Sequence, residues 1–260
     1  MDQPRYLKIM QAGGQILESA LIHTVKSLYP NQSLSEINRI FEDYVTKHNA
    51  QPGFKLVPGY KWGTWININH GLVHGIPHAN LKIKIGDFIT IDAGVFYQGY
   101  HTDKAITVLL TDHGPTLNHP FLQAGIKALK QAFKQIKPNR SLRYVSSALY
   151  DSITASKLRI IPQLGGHGIG RKLHQNPMVL QFVDPNHKYP KLQLYQTLAI
   201  EVIYTAGSPQ FVTESDGWTL SMKDKSLAGM FEETIAVGPT GPIFVTTQSL
   251  NTICLNRILS

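Results

Sequence analysis

Two aspartates, two glutamates and one histidine stand where a folded chain has little ordinary use for charge. Asp92 and Asp103 lie eleven residues apart in the stretch 91–103. Apolar, β-branched and aromatic residues there flank a glycine-bearing turn at Gln98-Gly99, the pattern of a β-hairpin. An even number of residues in the turn puts both carboxylates on one face of the sheet. For Asp103 alone, finishing the turn would be reason enough. Glu201 lies in the middle of the apolar run 198–204, and Glu232 follows Phe231 at the head of a β-branched run. A carboxylate in a buried strand requires a salt bridge, a raised pKa or a metal. Neither glutamate segment contains Lys or Arg, so a cationic partner would have to come from elsewhere. The fifth residue, His167, sits in a segment with glycines at 165, 166, 168 and 170, which reads as a loop allowing close backbone approach. Such a histidine, alone, would be a surface residue. Together the five make an oxygen-dominated ligand set with one nitrogen. That set suits Mn²⁺ or Fe²⁺ at least as well as Zn²⁺. Shared carboxylates can bridge two divalent ions, the arrangement of two-metal hydrolases.

These residues need strands beneath them and helices behind the strands. The stretch 7–28 has helical periodicity through Ile9, Leu17, Leu21, Val25 and Leu28, and Pro30-Asn31 ends it. Ser33 and Glu36 form a capping-box pattern ahead of a second helix carrying Ile37, Ile40, Phe41, Tyr44 and Val45. Strand candidates follow at 65–68 and 88–91. The pattern then restarts: a helix from Pro120 to a stop at Lys137-Pro138, and a fourth helix with Ser141 as its cap. Strands at 198–204 and 231–237 close the series. Asp92 and Glu201 are 109 residues apart, and the helix pairs are offset similarly. The order predicts two related halves, about 5–110 and 118–247, each laying two helices on part of a mostly antiparallel sheet, an α+β arrangement.

Bulk properties narrow the function classes. At 42% hydrophobic and 16% charged, the 260 residues describe an ordinary globular chain, not a disordered one or a coiled coil. The net charge of +8 favours an anionic neighbour such as RNA or a ribosome surface, or is simply a solvated basic surface. The lone Cys254 allows no internal disulfide and fits a cytosolic setting. The first residues lack the apolar core of a signal peptide, and no run is long enough to span a bilayer.

Order and spacing of several motifs resemble the type I methionine aminopeptidases of metallopeptidase family M24, from about residue 4 to about residue 247. The motifs are His74-Gly75-Ile76-Pro77, Ile91-Asp92, Gly99-Tyr100-His101-Thr102-Asp103 and Gly166-His167-Gly168-Ile169-Gly170-Arg171. With them go Ala199-Ile200-Glu201, Asp216-Gly217-Trp218 and Phe231-Glu232-Glu233-Thr234. The resemblance implies the creatinase, or pita-bread, fold as a single catalytic domain over 1–260. It implies two divalent ions (Co, Mn, Fe or Zn) held by Asp92, Asp103, His167, Glu201 and Glu232. Glu201 would also carry the catalytic proton, while His74 and His174 would contact the substrate backbone. Tyr60, Trp65, Leu173 and Trp218 would wall the methionine pocket. The expected substrates are N-termini of nascent chains, met by a cytoplasmic monomer with ribosome contact through its basic surface and no membrane.

The chain departs from the family pattern in places. The loop between Gly59-Tyr60 and His74 is about three residues shorter than usual in that family, and Trp65 stands where bacterial members carry a small Cys. Leu173 replaces an aromatic, Gln175 replaces a Glu after His174, and Lys104 after Asp103 is unusual, although alternation turns it off the metal face. These changes bear on methionine selectivity and leave the metal set intact. Two other readings compete: an Xaa-Pro-type or altered-specificity peptidase of the same family, and a non-catalytic ribosome- or RNA-binding relative. Xaa-Pro members carry an Arg two residues before the last Glu ligand, where this chain has Met230.

Overall fold

The computed structural model describes residues 3–246. Cys254 and the last residue of the second expected half lie outside that range. Helices α1 (Arg5–Lys26) and α2 (Leu34–Lys47) lead into β1 (Gln51–Pro52), β2 (Thr64–Ile68), β3 (Gly71–Val73), β4 (Phe88–Tyr97), β5 (Tyr100–Thr111) and β6 (Gly114–Thr116). Helices α3 (Pro120–Phe133) and α4 (Arg143–Ala155) open the second series. It continues through β7 (Arg159–Ile160), β8 (Gly165–Gly168), β9 (Gln175–Leu180), β10 (Thr197–Thr205), β11 (Phe211–Thr213), β12 (Leu220–Met222), β13 (Ala228–Val237) and β14 (Pro242–Phe244). The helix pair, strands, helix pair, strands order is thus the one predicted.

Among the described residues all strand pairs are antiparallel. β1, β4, β5 and β6 lie in that order with β2 also on β4; β14, β13, β10, β8 and β9 form the second sheet with β7 on β10. The ribbon β11-β12-β3 links loops of the two series. The helices bury one face each against the sheets. Leu17, Leu21 and Val25 of α1 and Ile37, Phe41 and Val45 of α2 join Ile91 and Ile106 in a core that continues through Leu129 and Leu149 to Val202 and Phe231. Ser33 caps α2 as expected, accepting the Glu36 N–H at 3.2 Å. Ser141 does the same at α4: Leu142 is already in helical conformation, and the Ser141 hydroxyl accepts the Arg143 N–H at 3.3 Å, as a capping side chain does.

The sheets meet where β5 runs beside β13, and two threonines stitch them. Thr234 Oγ1 accepts the Asp103 N–H at 2.9 Å and donates to the Asp103 carbonyl at 2.8 Å. Thr107 Oγ1 does the same for Met230, at 2.9 Å in each direction. Hydroxyls here satisfy backbone groups that have no ladder partner on that side. The seam brings Asp103 of one sheet against the strand carrying Glu232 of the other.

Candidate metal centre

The hairpin positions the first two carboxylates. Tyr97 pairs with Tyr100, so Gln98 and Gly99 are a two-residue turn, with φ of 47° and 89°. That left-handed pair matches the twist of the strands. Asp92 then faces Ala105 while Gly94 faces Asp103, which sets the two carboxylates diagonally on one face. In the second sheet Glu201 stands directly across from Glu232. His167 faces Ala199, two residues from Glu201, and so shares that face.

The segment around His167 is not the loop its glycines suggest. It is β8, paired to β10 on one side and β9 on the other. A Cβ on Gly166 would stand 2.3 Å from the Ala199 carbonyl oxygen, and one on Gly168 would stand 2.2 Å from that of Asn176. The glycines are there because β8 is squeezed between its neighbours.

One oxygen each from Asp103 and Glu232 and a ring nitrogen of His167 lie within 4.8 Å of one another. Asp92 and Glu201 border the same cavity, of about 220 Å³. All four carboxylates are buried, with at most 6% of their surface exposed. Among the described residues Asp92 Oδ1 and Glu232 Oε1 have no hydrogen-bond partner. Among the described residues, no Lys or Arg pairs with any of the four. Burial raises each carboxyl: Glu201 is pushed up to about 8, and Asp92, Asp103 and Glu232 are raised further by one another's charge and that of Glu201. His167 Nδ1 lies 3.0 Å from the Gly168 carbonyl oxygen, which can only accept. Nδ1 therefore carries the proton and Nε2 presents a lone pair. Burial lowers this histidine to about 4, so the ring is neutral, the form that binds a cation. Orphaned buried oxygens, mutually repelling carboxyls and a neutral imidazole with its tautomer fixed are what a divalent cation would complete. The residues fit the implied metal.

The two other histidines expected at the site border the same cavity. The His174 ring lies 4.3 Å from that of His167. His74 has a φ of 60°, a left-handed conformation that a non-glycine residue holds only when its surroundings impose it. Burial, and then the proximity of His174, lower His74 to about 4; burial lowers His174. Both are neutral at pH 7 and each can offer an N–H without adding charge.

Of the four expected pocket residues, Trp65 borders the cavity. Tyr60, Leu173 and Trp218 pack in the same apolar cluster, with the Tyr60 ring 5.7 Å from Trp65 and 5.2 Å from Trp218. The indole of Trp65 stacks on Phe54 at 4.0 Å and meets His74 edge-on at 4.5 Å. Ile203 and Met230 also line the cavity, each two residues from a cluster glutamate and hence on its face; strand alternation was the available signal for both. Gln163 and Leu164, also in the wall, carry no such signal. Lys104 turns away from the cluster, as alternation requires, to pair with Glu233 and Glu18.

Comparison with known proteins gives a consistent result. The sequence profile of metallopeptidase family M24 matches residues 8–239. The chain is 32% identical over 252 residues to a methionine aminopeptidase of Aquifex aeolicus, covering 93% of this chain and 96% of that one. It is 32% identical over 238 residues to methionine aminopeptidase 1 of Bacillus subtilis, covering 92% and 95%. The crystal structure of a methionine aminopeptidase from Thermotoga maritima superposes with a TM-score of 0.89 at 28% identity, covering 95% of this chain and 98% of that one. A prolidase from Pyrococcus horikoshii shares the fold, with a TM-score of 0.73 at 20% identity.

Proposed function

The chain belongs to metallopeptidase family M24, and from that premise we propose that it is a methionine aminopeptidase, a metallo-exopeptidase that removes the first residue from the N-termini of nascent proteins. The observation carrying this reading is the convergence of five ligand-type side chains on one cavity, where among the described residues no Lys or Arg forms an ion pair with the four carboxylates.

In this reading Asp92, Asp103, His167, Glu201 and Glu232 hold two divalent cations, which when bound supply Lewis acidity at the scissile carbonyl and a nucleophilic water at neutral pH. Glu201 takes the proton released as water attacks and returns it to the leaving amine. His74 and His174 donate hydrogen bonds to the substrate backbone and to the oxygen that gains charge. Trp65, on the same sheet face as Asp92, limits the space for the first side chain. Met230, 4% exposed in the cavity wall, offers no charge for an Xaa-Pro substrate.

Among the described residues no helix is long and apolar enough to cross a membrane. A cytoplasmic monomer meeting nascent chains, with its net charge of +8 turned toward the ribosome, is the setting proposed here. Co-sedimentation with ribosomes at low salt, lost at high salt, would support it. The activity itself is tested by reconstituting the metal-free protein with Mn²⁺ or Co²⁺ and digesting Met-Ala, Ala-Ala, Gly-Ala, Met-Pro and Ala-Pro peptides side by side. Release of methionine from Met-Ala supports the proposal. Cleavage confined to Xaa-Pro peptides, or to those beginning with Gly or Ala, refutes methionine selectivity.

A further inference from the structure

Asn38 occupies an odd place. It lies on the buried stripe of α2, four residues after Leu34 and three before Phe41, and is 6% exposed. Asparagine is a poor helix former, and a buried amide must have its hydrogen bonds met. Nothing within the helix interior calls for it.

Its bonds run out of the helix to one short stretch. Asn38 Oδ1 accepts the Gly63 N–H at 2.9 Å, the Thr64 N–H at 3.1 Å and the Thr64 hydroxyl at 2.9 Å. Asn38 Nδ2 donates to Glu42 Oε1 at 2.9 Å, and that oxygen also accepts the Gly63 N–H at 2.8 Å. The other Glu42 oxygen holds Lys55. From the opposite side the Tyr60 hydroxyl donates to the Thr64 carbonyl at 2.7 Å. Both backbone groups of Thr64 and its hydroxyl are thus fixed by side chains from other elements.

The next residue is Trp65, whose indole borders the metal cavity between Phe54 and His74. We propose that Asn38 is a positioning residue for first-residue selectivity: by clamping Gly63 and Thr64 to α2 it fixes where the Trp65 wall of the pocket stands. The inference rests on the aminopeptidase reading above and adds to it a residue that touches neither metal ligand nor substrate. Its effect passes through Thr64 to Trp65, so it governs the room for the first side chain and not the metal chemistry.

The test compares wild type, Asn38→Leu, Thr64→Val and the double variant Asn38→Asp/Glu42→Gln, each loaded with Mn²⁺, on Met-Ala and Leu-Ala peptides. Asn38→Leu keeps the branched outline of the side chain, with somewhat more bulk, and removes the clamp. The double variant restores an acceptor at 38 and a donor at 42. Asn38→Leu should bind Mn²⁺ as wild type does. Its kcat/KM preference for Met over Leu should fall about tenfold, mostly through KM, because a wall freed to recede admits the branched side chain. Thr64→Val should shift the same ratio less, and it carries the test if Asn38→Leu does not fold. The double variant should recover the preference. An active wild type whose Met/Leu ratio is unchanged in both variants, or variants that lose all substrates equally, would overturn the inference alone. A wild type that releases no first residue overturns the aminopeptidase reading and this inference with it.

Discussion

Lys104 and Glu233 form an ion pair across the seam between the two sheets, one residue along from Asp103 on one strand and from Glu232 on the other. They are 2% and 1% exposed, and Glu18 of α1 reaches the same ammonium at 3.0 Å. Burial alone would lower the Lys104 pKa, but Glu233 and Glu18 hold it above its ordinary value. Burial raises Glu233 in spite of Lys104. Below the metal face, then, lies a second charged layer that ties α1, β5 and β13 together.

Removing the one cation from that layer leaves two buried carboxyls facing each other. Lys104→Met should destabilise the metal-free protein by about 3–5 kcal/mol, read from urea unfolding. Lys104→Met/Glu233→Gln should recover part of the loss. A shift of less than ~1 kcal/mol in the single variant would mean that the pair is replaceable at no cost.

Metal removal should make stability depend on pH in a definite direction. Glu201 rises in the folded state from its ordinary value to about 8, and Asp92, Asp103 and Glu232 also rise. Over that window the folded protein holds more protons than the unfolded chain. The contribution is complete below the unfolded pKa and is lost as pH rises through the folded one. The Tm of the chelated protein should therefore fall between about pH 5 and about pH 8, and saturating Mn²⁺ should flatten the profile, because bound cations compensate the ionised carboxyls. A flat profile without metal would contradict the description of the cluster.

The glycines of β8 supply a steric test. A methyl at Gly166 would meet the Ala199 carbonyl at 2.3 Å, and backbone cannot swing aside as a flexible side chain does. Gly166→Ala should push β8 off β10, displace His167 and weaken Mn²⁺ binding at least ~10-fold, measured by calorimetric titration. Retained affinity would show that β8 can shift without moving its histidine.

His74 offers a way to separate chemistry from binding. His74→Ala should lower kcat about 100-fold or more while leaving Mn²⁺ affinity unchanged, as removal of a donor to a developing oxyanion does. His74→Asn keeps a side-chain donor and better tolerates the φ of 60°, so it should retain more activity. Equal losses in both, with metal binding also impaired, would make His74 a structural residue.

Much of this arrangement was legible in the sequence because it rests on local rules. The 91–103 hairpin follows from a two-residue turn, and the turn's even length fixes both aspartates on one face. Strand alternation turned Lys104 away from that face. The β8 glycines do mark a close backbone approach, as the sequence implies, but in a strand and not a loop: glycine marks both, and only the pairing distinguishes them. Ser141 was legible as a cap because capping is a local rule: its hydroxyl accepts the Arg143 N–H at the start of α4. The bonds from Asn38 to Gly63 and Thr64, and the meeting of Lys104 with Glu18 and Glu233, span long separations in sequence and leave no periodic trace.

The most direct test of the metal centre is a Mn²⁺ titration of the chelated protein in which bound metal and methionine released from a Met-Ala peptide are followed together. The proposed function predicts two ions per chain at saturation, with release rising as they bind and abolished in His167→Ala. Tight binding of no ion, or methionine release that survives chelation, would contradict it.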